Sequence, residues 1–453
     1  MSVEQTERVG DRSVSRQFWR YVLPTVAAML VSGLYQVIDG IFIGRYVGAD
    51  GLAGINLAWP MIGTFYGLGM MIGVGSGAIA SLSRGEGKLR LARQALGNGL
   101  SLLFVVGIPA GILLIWGGEQ ALAWQDASGE ALRHASDYLQ VFIYVVPIAM
   151  GSLALPFMVR NDEAPNRATW LIALGALLNV ALDALFVAYL GWALVGAAVA
   201  TALAQSLVMA LGIAYFFSTK VQTRLLWRDL RPQWSLSLRT CGIGLSSLLM
   251  YAYFSFIIAV HNYLFMQYGD AVFVGAFAIV GYTAMLYYLF AEGVAAGTQP
   301  LISYHYGAGE IARMKRFVKL MLWVAMGSGV LAMAVINLFI EPIILIYNSE
   351  DPALFEATKL GMRLHLALLC LDGLIFSVGV VFQSLGMGRK ATFVTMANML
   401  IQLPFLWVLP KLMGISGIWL SVPLSNMALS LVVAWMLWRE WKKLAARQVI
   451  PST

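Results

Sequence analysis

Phe18–Phe42 reads FWRYVLPTVAAMLVSGLYQVIDGIF. At about 1.5 Å per residue this run is long enough to cross a hydrocarbon core of about 30 Å as a helix. Its hydrophobicity is continuous rather than alternating, which is the pattern of a helical span and not of a barrel strand. It is too long for a signal-peptide core and no small-residue cleavage site follows, so it reads as a retained span. Yet it holds Asp39. A carboxylate in hydrocarbon is costly, so an acid kept there marks a functional site by default.

Similar runs follow near 52–81, 95–116, 137–158, 169–189, 193–217, 240–266, 272–301, 319–340, 360–384, 392–410 and 415–438. With 60% hydrophobic and 12% charged residues among 453, and a mean hydropathy of +0.76, the chain reads as an all-α polytopic membrane protein with twelve transmembrane helices. The net charge of +7 does not point to nucleic acid, because its distribution is topological. Basic clusters at Arg84, Lys88, Arg90 and Arg93, at Lys220, Arg224, Arg228 and Arg231, at Arg313, Lys315, Arg316 and Lys319, and at Arg439, Lys442 and Lys443 fall in alternate loops and the C-terminal tail. The opposite loops carry Glu119, Asp126, Glu130, Glu341, Glu350, Asp351 and Glu356. By the positive-inside rule both termini are cytoplasmic, and the membrane is expected to be a bacterial inner membrane. Cys241 and Cys370 lie in separate apolar runs and read as core residues, not as a disulfide.

A shift of about 220 residues lays the second half on the first. Gly48, Gly54, Gly75, Ser81, Gly85, Gly87 and Gly196 then meet Gly269, Gly275, Gly297, Ser303, Gly307, Gly309 and Gly417. The basic loops coincide as well, so the repeats are parallel. The expected organisation is an N-terminal tail (1–17), a six-helix lobe (18–217), a cytoplasmic linker (218–239), a second six-helix lobe (240–438) and a C-terminal tail (439–453). Two such bundles with a seam between them suit alternating access around a central site.

Asn179 and Asp183 stand at i and i+4 within the fifth run, on one helix face. With Asp39 they supply two carboxylates and an amide. Such a set can hold a hard cation through oxygen ligands, or share a proton because two close carboxylates resist ionising together. Hydrogen-bonded glue between helices is the alternative.

The run Asp39-Gly-Ile-Phe-Ile-Gly44-Arg-Tyr-Val-Gly48, with Gly51, Gly54 and Pro60, resembles the first-helix signature of multidrug and toxic compound extrusion (MATE) transporters. Asn179 to Asp183 followed by Val195 to Thr201 resembles their fifth and sixth helices, and Gly297 to Gly309 their eighth. The resemblance covers nearly the whole chain. It implies that Asp39, Asn179, Asp183 and Thr201 line a coupling-ion site of the DinF-type branch, for H+ or Na+, with no other cofactor. The acids have no copy in the second lobe, since Asp39, Asp183 and Thr201 align near Val260, Leu406 and Val422.

Asp372-Gly373 resembles part of a cation site on the tenth helix of NorM-type relatives, which also use an acid on the seventh; here that helix offers Tyr251 and Tyr253 instead. Glu292 has Tyr288 and Met285 four and seven residues before it, near one helix face, and acid, ring and thioether together suit flat lipophilic cations. These residues, with Asp372 and Tyr251, are the expected substrate contacts, against a lipid-facing aromatic stripe as the alternative. His261 reads either as a group that titrates in a pathway or as a satisfied polar residue near the outer end of its span, and Arg363 and His365 as snorkelling to the interface. Pro24 is expected to interrupt the first helix, and the resemblance links its bending to protonation of Asp39.

The expected function is a monomeric cation-coupled antiporter that exports organic cations or amphiphilic drugs and contacts membrane lipid. No Gly-x-x-x-x-Gly-Lys-Ser/Thr loop is present, so no ATP fuel is read within the chain. A lipid-linked oligosaccharide flippase should carry several central cations for pyrophosphate, whereas the spans here carry acids and few central cations. A membrane-embedded enzyme would need a nucleophile, a metal cluster or an interfacial carboxylate pair, and neither His-Glu-x-x-His nor paired cysteines occurs.

Overall fold

The computed structural model describes residues 3–123, 125, 129–219, 221–347 and 351–449. Asp126, Lys220 and Glu350, counted among the loop charges, lie outside these residues. The described residues form helices α1 (Val3–Tyr46), α2 (Ala49–Gly85), α3 (Leu89–Ala123), α4 (Gly129–Asn161), α5 (Pro165–Asp183), α6 (Ala193–Phe217), α7 (Trp234–Tyr268), α8 (Ala271–Gly307), α9 (Ile311–Leu338), α10 (Ile340–Tyr347), α11 (Pro352–His365), α12 (Leu369–Ser384), α13 (Gly388–Met413) and α14 (Ile415–Val449). Among them eleven are long and apolar enough to cross a membrane, and α11 with α12 makes a twelfth span bent by 51°.

Helix ends differ from the apolar runs in an instructive way. Helix α1 begins at Val3 and α14 continues to Val449, while α7 starts at Trp234, inside the expected linker. Apolar length sets what crosses the membrane, but nothing stops a helix from running on into water. The tenth span is the larger departure. It was expected as one helix over 360–384, but a helix bearing Glu356, Lys359 and Arg363 precedes the apolar α12, and the two meet at a break over 366–368. Asp351 starts α11 early, its carboxylate accepting from the Ala353 and Leu354 amides at 2.9 and 3.2 Å. The break also turns His365 inward, against Trp419 and Phe277, rather than toward an interface. His261 is a core histidine, fully buried, stacked on Phe277 and bonded through Nδ1 to the Ile257 carbonyl at 2.9 Å. Cys241 and Cys370 are both free thiols.

The repeat is visible in the backbone. Gly87 and Gly309, paired by the 220-residue shift, both have φ of 75° at the ends of α2 and α8. There the Gly87 amide bonds the Arg84 carbonyl and the Gly309 amide bonds that of Tyr306. Both ends are therefore closed by a left-handed glycine, which a side chain would strain.

Each lobe has its own core, but the first helix of each lobe is shared. Val14, Phe18, Tyr21 and Val22 of α1 lie in the core of the C-terminal lobe, and Leu236 and Ile243 of α7 lie in that of the N-terminal lobe. The expected boundaries at 18 and 240 thus mark sequence repeats rather than separate packing units. Backbones approach closely along this crossing. A Cβ at Gly75 would stand 2.1 Å from the Thr240 carbonyl oxygen, and one at Gly244 would stand 1.9 Å from that of Met71. At the symmetry centre a Cβ at Gly85 would lie 2.1 Å from the Tyr304 oxygen, and one at Gly307 would lie 2.1 Å from that of Leu82. No side chain fits at such distances.

All these approaches are in the half that carries the basic loops. Toward the other end Gly40, Gly48 and Gly281 have open space within 4 Å. The lobes are therefore packed backbone against backbone at the basic end. Between the lobes lies a floor cluster of Met29, Met70, Val74, Phe157 and Ala296, drawn from both lobes, with Tyr251 and Leu289 packed against it.

Candidate functional site

Asp39 on α1, Asn179 and Asp183 on α5, and Thr201 on α6 come together inside the N-terminal lobe. The two carboxyls stand side by side. Asp183 is fully buried, Asn179 nearly so at 2% exposure, and Asp39 is half-buried. The Asn179 amide donates to the Thr201 hydroxyl at 3.2 Å, which fixes the orientation of the amide. That leaves Asn179 Oδ1, Asp39 Oδ1 and both oxygens of Asp183 buried without a hydrogen-bond partner. Each unsatisfied buried group costs about 1–3 kcal/mol, and more if charged. Every orphan in this cluster is an acceptor, so the cluster is short of hydrogen-bond donors and of positive charge.

Local structure favours that arrangement. Asn179 and Asp183 share a helix face, and directly after Asp183 the chain changes to a π-helix over Ala184–Tyr189. A π-turn widens the helix and often accompanies a functional site. Tyr138 of α4, 4% exposed, lies beside Thr201 and Asp39, and Tyr35 lies one turn before Asp39. Tyr35 was within reach of the sequence, being at i−4 from the acid. Tyr138 was not, because only packing of α4 brings it there.

The expected substrate group divides into two places. Asp372 on α12 accepts from the Tyr288 hydroxyl at 3.2 Å and from the Asn426 amide. Tyr253 stands nearby, receiving the Gln402 amide at 2.7 Å. Both Asp372 oxygens are thus satisfied, unlike those of Asp183, although the amide oxygens of Asn398, Gln402 and Asn426 have no partner. Glu292 and Tyr251 belong instead to the floor between the lobes. Met285 is half-buried on α8, one turn before Tyr288. The face expected to join Met285, Tyr288 and Glu292 therefore serves two clusters, because α8 passes from the interior of its own lobe to the seam.

Arg160 is a fully buried cation that sequence reading did not single out. It lay just past the expected end of the fourth span at 158, where it would reach water; α4 instead runs to Asn161 and buries Arg160 completely. Its guanidinium packs 4.8 Å from the Phe157 ring centroid, within electrostatic reach of Glu292. Below it a polar network ties the basic end. Asn161 accepts from Ser81 and Arg84, Arg84 pairs with Glu163, and Asp162 accepts from the Tyr215 hydroxyl at 2.7 Å and the Gln222 amide at 3.2 Å. Burial raises the Asp162 pKa despite these donors.

The sequence model of the MatE family matches this chain twice, over residues 24–185 and 244–408. The two matches are offset by the same 220 or so residues as the glycines, and together they cover more than half the chain. The chain belongs to the MATE family of transporters. It is 24% identical over 425 residues to the multidrug export protein MepA of Staphylococcus saprophyticus, covering 92% of each chain. To MepA of Staphylococcus aureus it is 25% identical over 427 residues, again with 92% coverage of each. Among solved structures, a MATE protein in complex with MaL6 superposes with a TM-score of 0.90 at 22% identity, covering 96% of this chain and 98% of that one. An outward-facing multidrug resistance MATE transporter of the MOP superfamily superposes at 0.89 with 22% identity, covering 96% and 97%. The fold of this MATE transporter is shared with both, and a transporter rather than an enzyme is what the family membership establishes.

Proposed function

We propose that this transporter is a cation-coupled antiporter that exports organic cations and amphiphilic drugs across a bacterial inner membrane, with both termini cytoplasmic. The coupling ion, H+ or Na+, would occupy the Asp39–Asn179–Asp183–Thr201 cluster. The observation that carries this reading is the set of orphan carboxylate oxygens at Asp39 and Asp183, which among the described residues has no counterpart in the C-terminal lobe. It fits either ion, because a proton shared by two carboxyls and a small hard cation are both held by oxygens alone. The MepA relatives are named for multidrug export, which supports the substrate class. The close backbone packing of the two lobes at the basic end, along a seam between parallel repeats, supports alternating access.

Purified protein in liposomes, loaded with a fluorescent cation and given a pH gradient or a sodium gradient separately, tests the reading. Uptake or release driven by one of the two is expected. Movement of the dye with neither gradient would overturn it.

Two smaller effects should follow. Thr201→Val keeps the shape but removes the acceptor that orients Asn179, so apparent ion affinity is expected to fall roughly fivefold, the equivalent of about 1 kcal/mol. A titration of transport rate against the coupling ion reads this directly, and an unchanged midpoint refutes the role of Thr201. Pro24 does not interrupt α1, which runs helical through it. Its carbonyl instead accepts the Thr169 hydroxyl of α5 at 2.8 Å, joining the two helices that carry Asp39 and Asp183. The proline still removes one backbone bond and lets α1 flex. Pro24→Ala is therefore expected to slow turnover severalfold with ion affinity retained; wild-type turnover would argue against a hinge.

A further inference from the structure

Helix α14 carries a stripe of aromatic and cationic side chains, away from the seam, that transport leaves unused. Leu431 is 73% exposed, Trp435 and Trp438 are 52% and 51% exposed, and Arg439 and Lys442 follow them, also exposed. Steps of three and four residues keep all five on one side of the helix. Each cation lies over the ring one turn before it: the Arg439 guanidinium is 5.4 Å from the Trp435 centroid and the Lys442 ammonium 3.8 Å from that of Trp438. At about 1.5 Å per residue the stripe passes from aliphatic through aromatic to cationic side chains within about 17 Å. That is the order met along a phospholipid from acyl chain to phosphate. Because α14 stays helical to Val449, the cations are held at a fixed height above the rings.

The nearest acid is withdrawn from the stripe. Glu440 lies on a buried face of α14 and pairs with Lys390 of α13. Arg439, Lys442 and Lys443 make no hydrogen bond or ion pair among the described residues, whereas Arg84 and Lys88, also at the basic end, have carboxylate partners in Glu163 and Glu86. Nor does the fold call for these cations. In the first copy of the repeat the matching helix, α6, ends at Phe217, and the positions aligned with Arg439, Lys442 and Lys443 are Ser218, Val221 and Gln222. A purely topological signal would be served by cations anywhere in the tail, without seating two of them over exposed indoles.

We propose that this end of α14 is a binding site for an anionic phospholipid, with the lipid phosphate held by Arg439 and Lys442, the glycerol region at the level of Trp435 and Trp438, and an acyl chain along Leu431 and Val432. The guanidinium fork and the ammonium both suit a phosphate. Free phosphate would use the two cations but not the exposed apolar run beneath them, so the occupant is a lipid. A net negative headgroup is required, because nothing acidic on the stripe would receive the choline of a zwitterionic one.

The full-length protein in mild detergent, given equal amounts of phosphatidylglycerol and phosphatidylcholine with the same acyl chains and read by native mass spectrometry, tests the site. The wild type should retain phosphatidylglycerol in preference. Arg439→Gln combined with Lys442→Gln should weaken that retention about 25-fold, taking roughly fivefold for each cation near an anionic headgroup, and leave retention of phosphatidylcholine unchanged. Trp435→Leu combined with Trp438→Leu keeps every charge, so the positive-inside signal is intact and the chain should insert normally; it should still weaken phosphatidylglycerol retention severalfold. Equal retention of the two lipids by the wild type, or wild-type retention by the charge variant, would overturn the proposal. So would a tryptophan variant that binds like the wild type, which would reduce the stripe to diffuse charge, or displacement of the lipid by millimolar inorganic phosphate, which would make it a phosphate site.

Discussion

Asp183→Asn is expected to uncouple transport from the ion gradient while leaving the protein folded. The amide is isosteric with the carboxylate, but it brings an NH2 donor into a cluster whose free atoms are all acceptors. The donor satisfies Asp39 internally, and the cluster then has no need of an ion. Because ion and substrate must bias the same two-state equilibrium, the loss should appear as the disappearance of their mutual effect on affinity, an effect of about 5- to 150-fold in coupled systems. Asp39→Asn should act in the same way from the other side of the pair. Substrate binding measured at two ion concentrations, alongside gradient-driven export, checks both variants. Retained export with an intact ion dependence in each would eliminate the cluster as the coupling site, and would favour the reading of these acids as helix glue.

Gly85→Val is expected to be as damaging by a different route. Its Cβ would stand 2.1 Å from the Tyr304 carbonyl oxygen, a backbone atom of the other lobe that cannot swing aside. Overpacking of this kind costs about 1–3 kcal/mol, and more where neither partner can move. A penalty of about 3 kcal/mol would bring a preference of about 99:1 for the sealed arrangement close to even. The contact is between lobes, so each lobe should fold normally while the seam stays open at the basic end. Gly307→Val should match it, since its Cβ would meet the Leu82 oxygen at the same distance. Cysteine labelling at the basic end of the seam, with export measured in parallel, reads the change. Unaltered labelling and wild-type export in both variants would mean that closure here is not needed for transport.

Much of the architecture was legible because its causes are local. A span announces itself through apolar length, and the repeat through residues with no side chain, since glycine survives where backbones touch or φ turns positive. Gly87 and Gly309 illustrate the second case and Gly85 with Gly307 the first. Asn179 and Asp183 could be placed on one face from their spacing, and resemblance brought in Thr201, which the structure sets against Asn179. What escaped was whatever depends on a partner distant in the chain. Met285, Tyr288 and Glu292 looked like one surface because a helix wheel cannot tell which neighbour each residue meets, and the burial of Arg160 is decided by packing alone. The bend over 366–368 was hidden for a related reason: α11 and α12 differ in charge, but a continuous window of hydropathy averages across the join.

By itself the sequence determined that this chain lies in a membrane, that it is two parallel copies of one bundle, and that Asp39 and Asp183 of the first copy have no counterpart in the second, because hydrophobic length, glycine spacing and charge are properties of residues in order. Only the tertiary structure decided which polar atoms are left without partners, and of which kind. Hydrogen bonding is satisfied or not by atoms brought together from different helices. That is why the bare acceptors around Asp183 and the unpartnered guanidinium of Arg160 could be seen only after the helices had packed together.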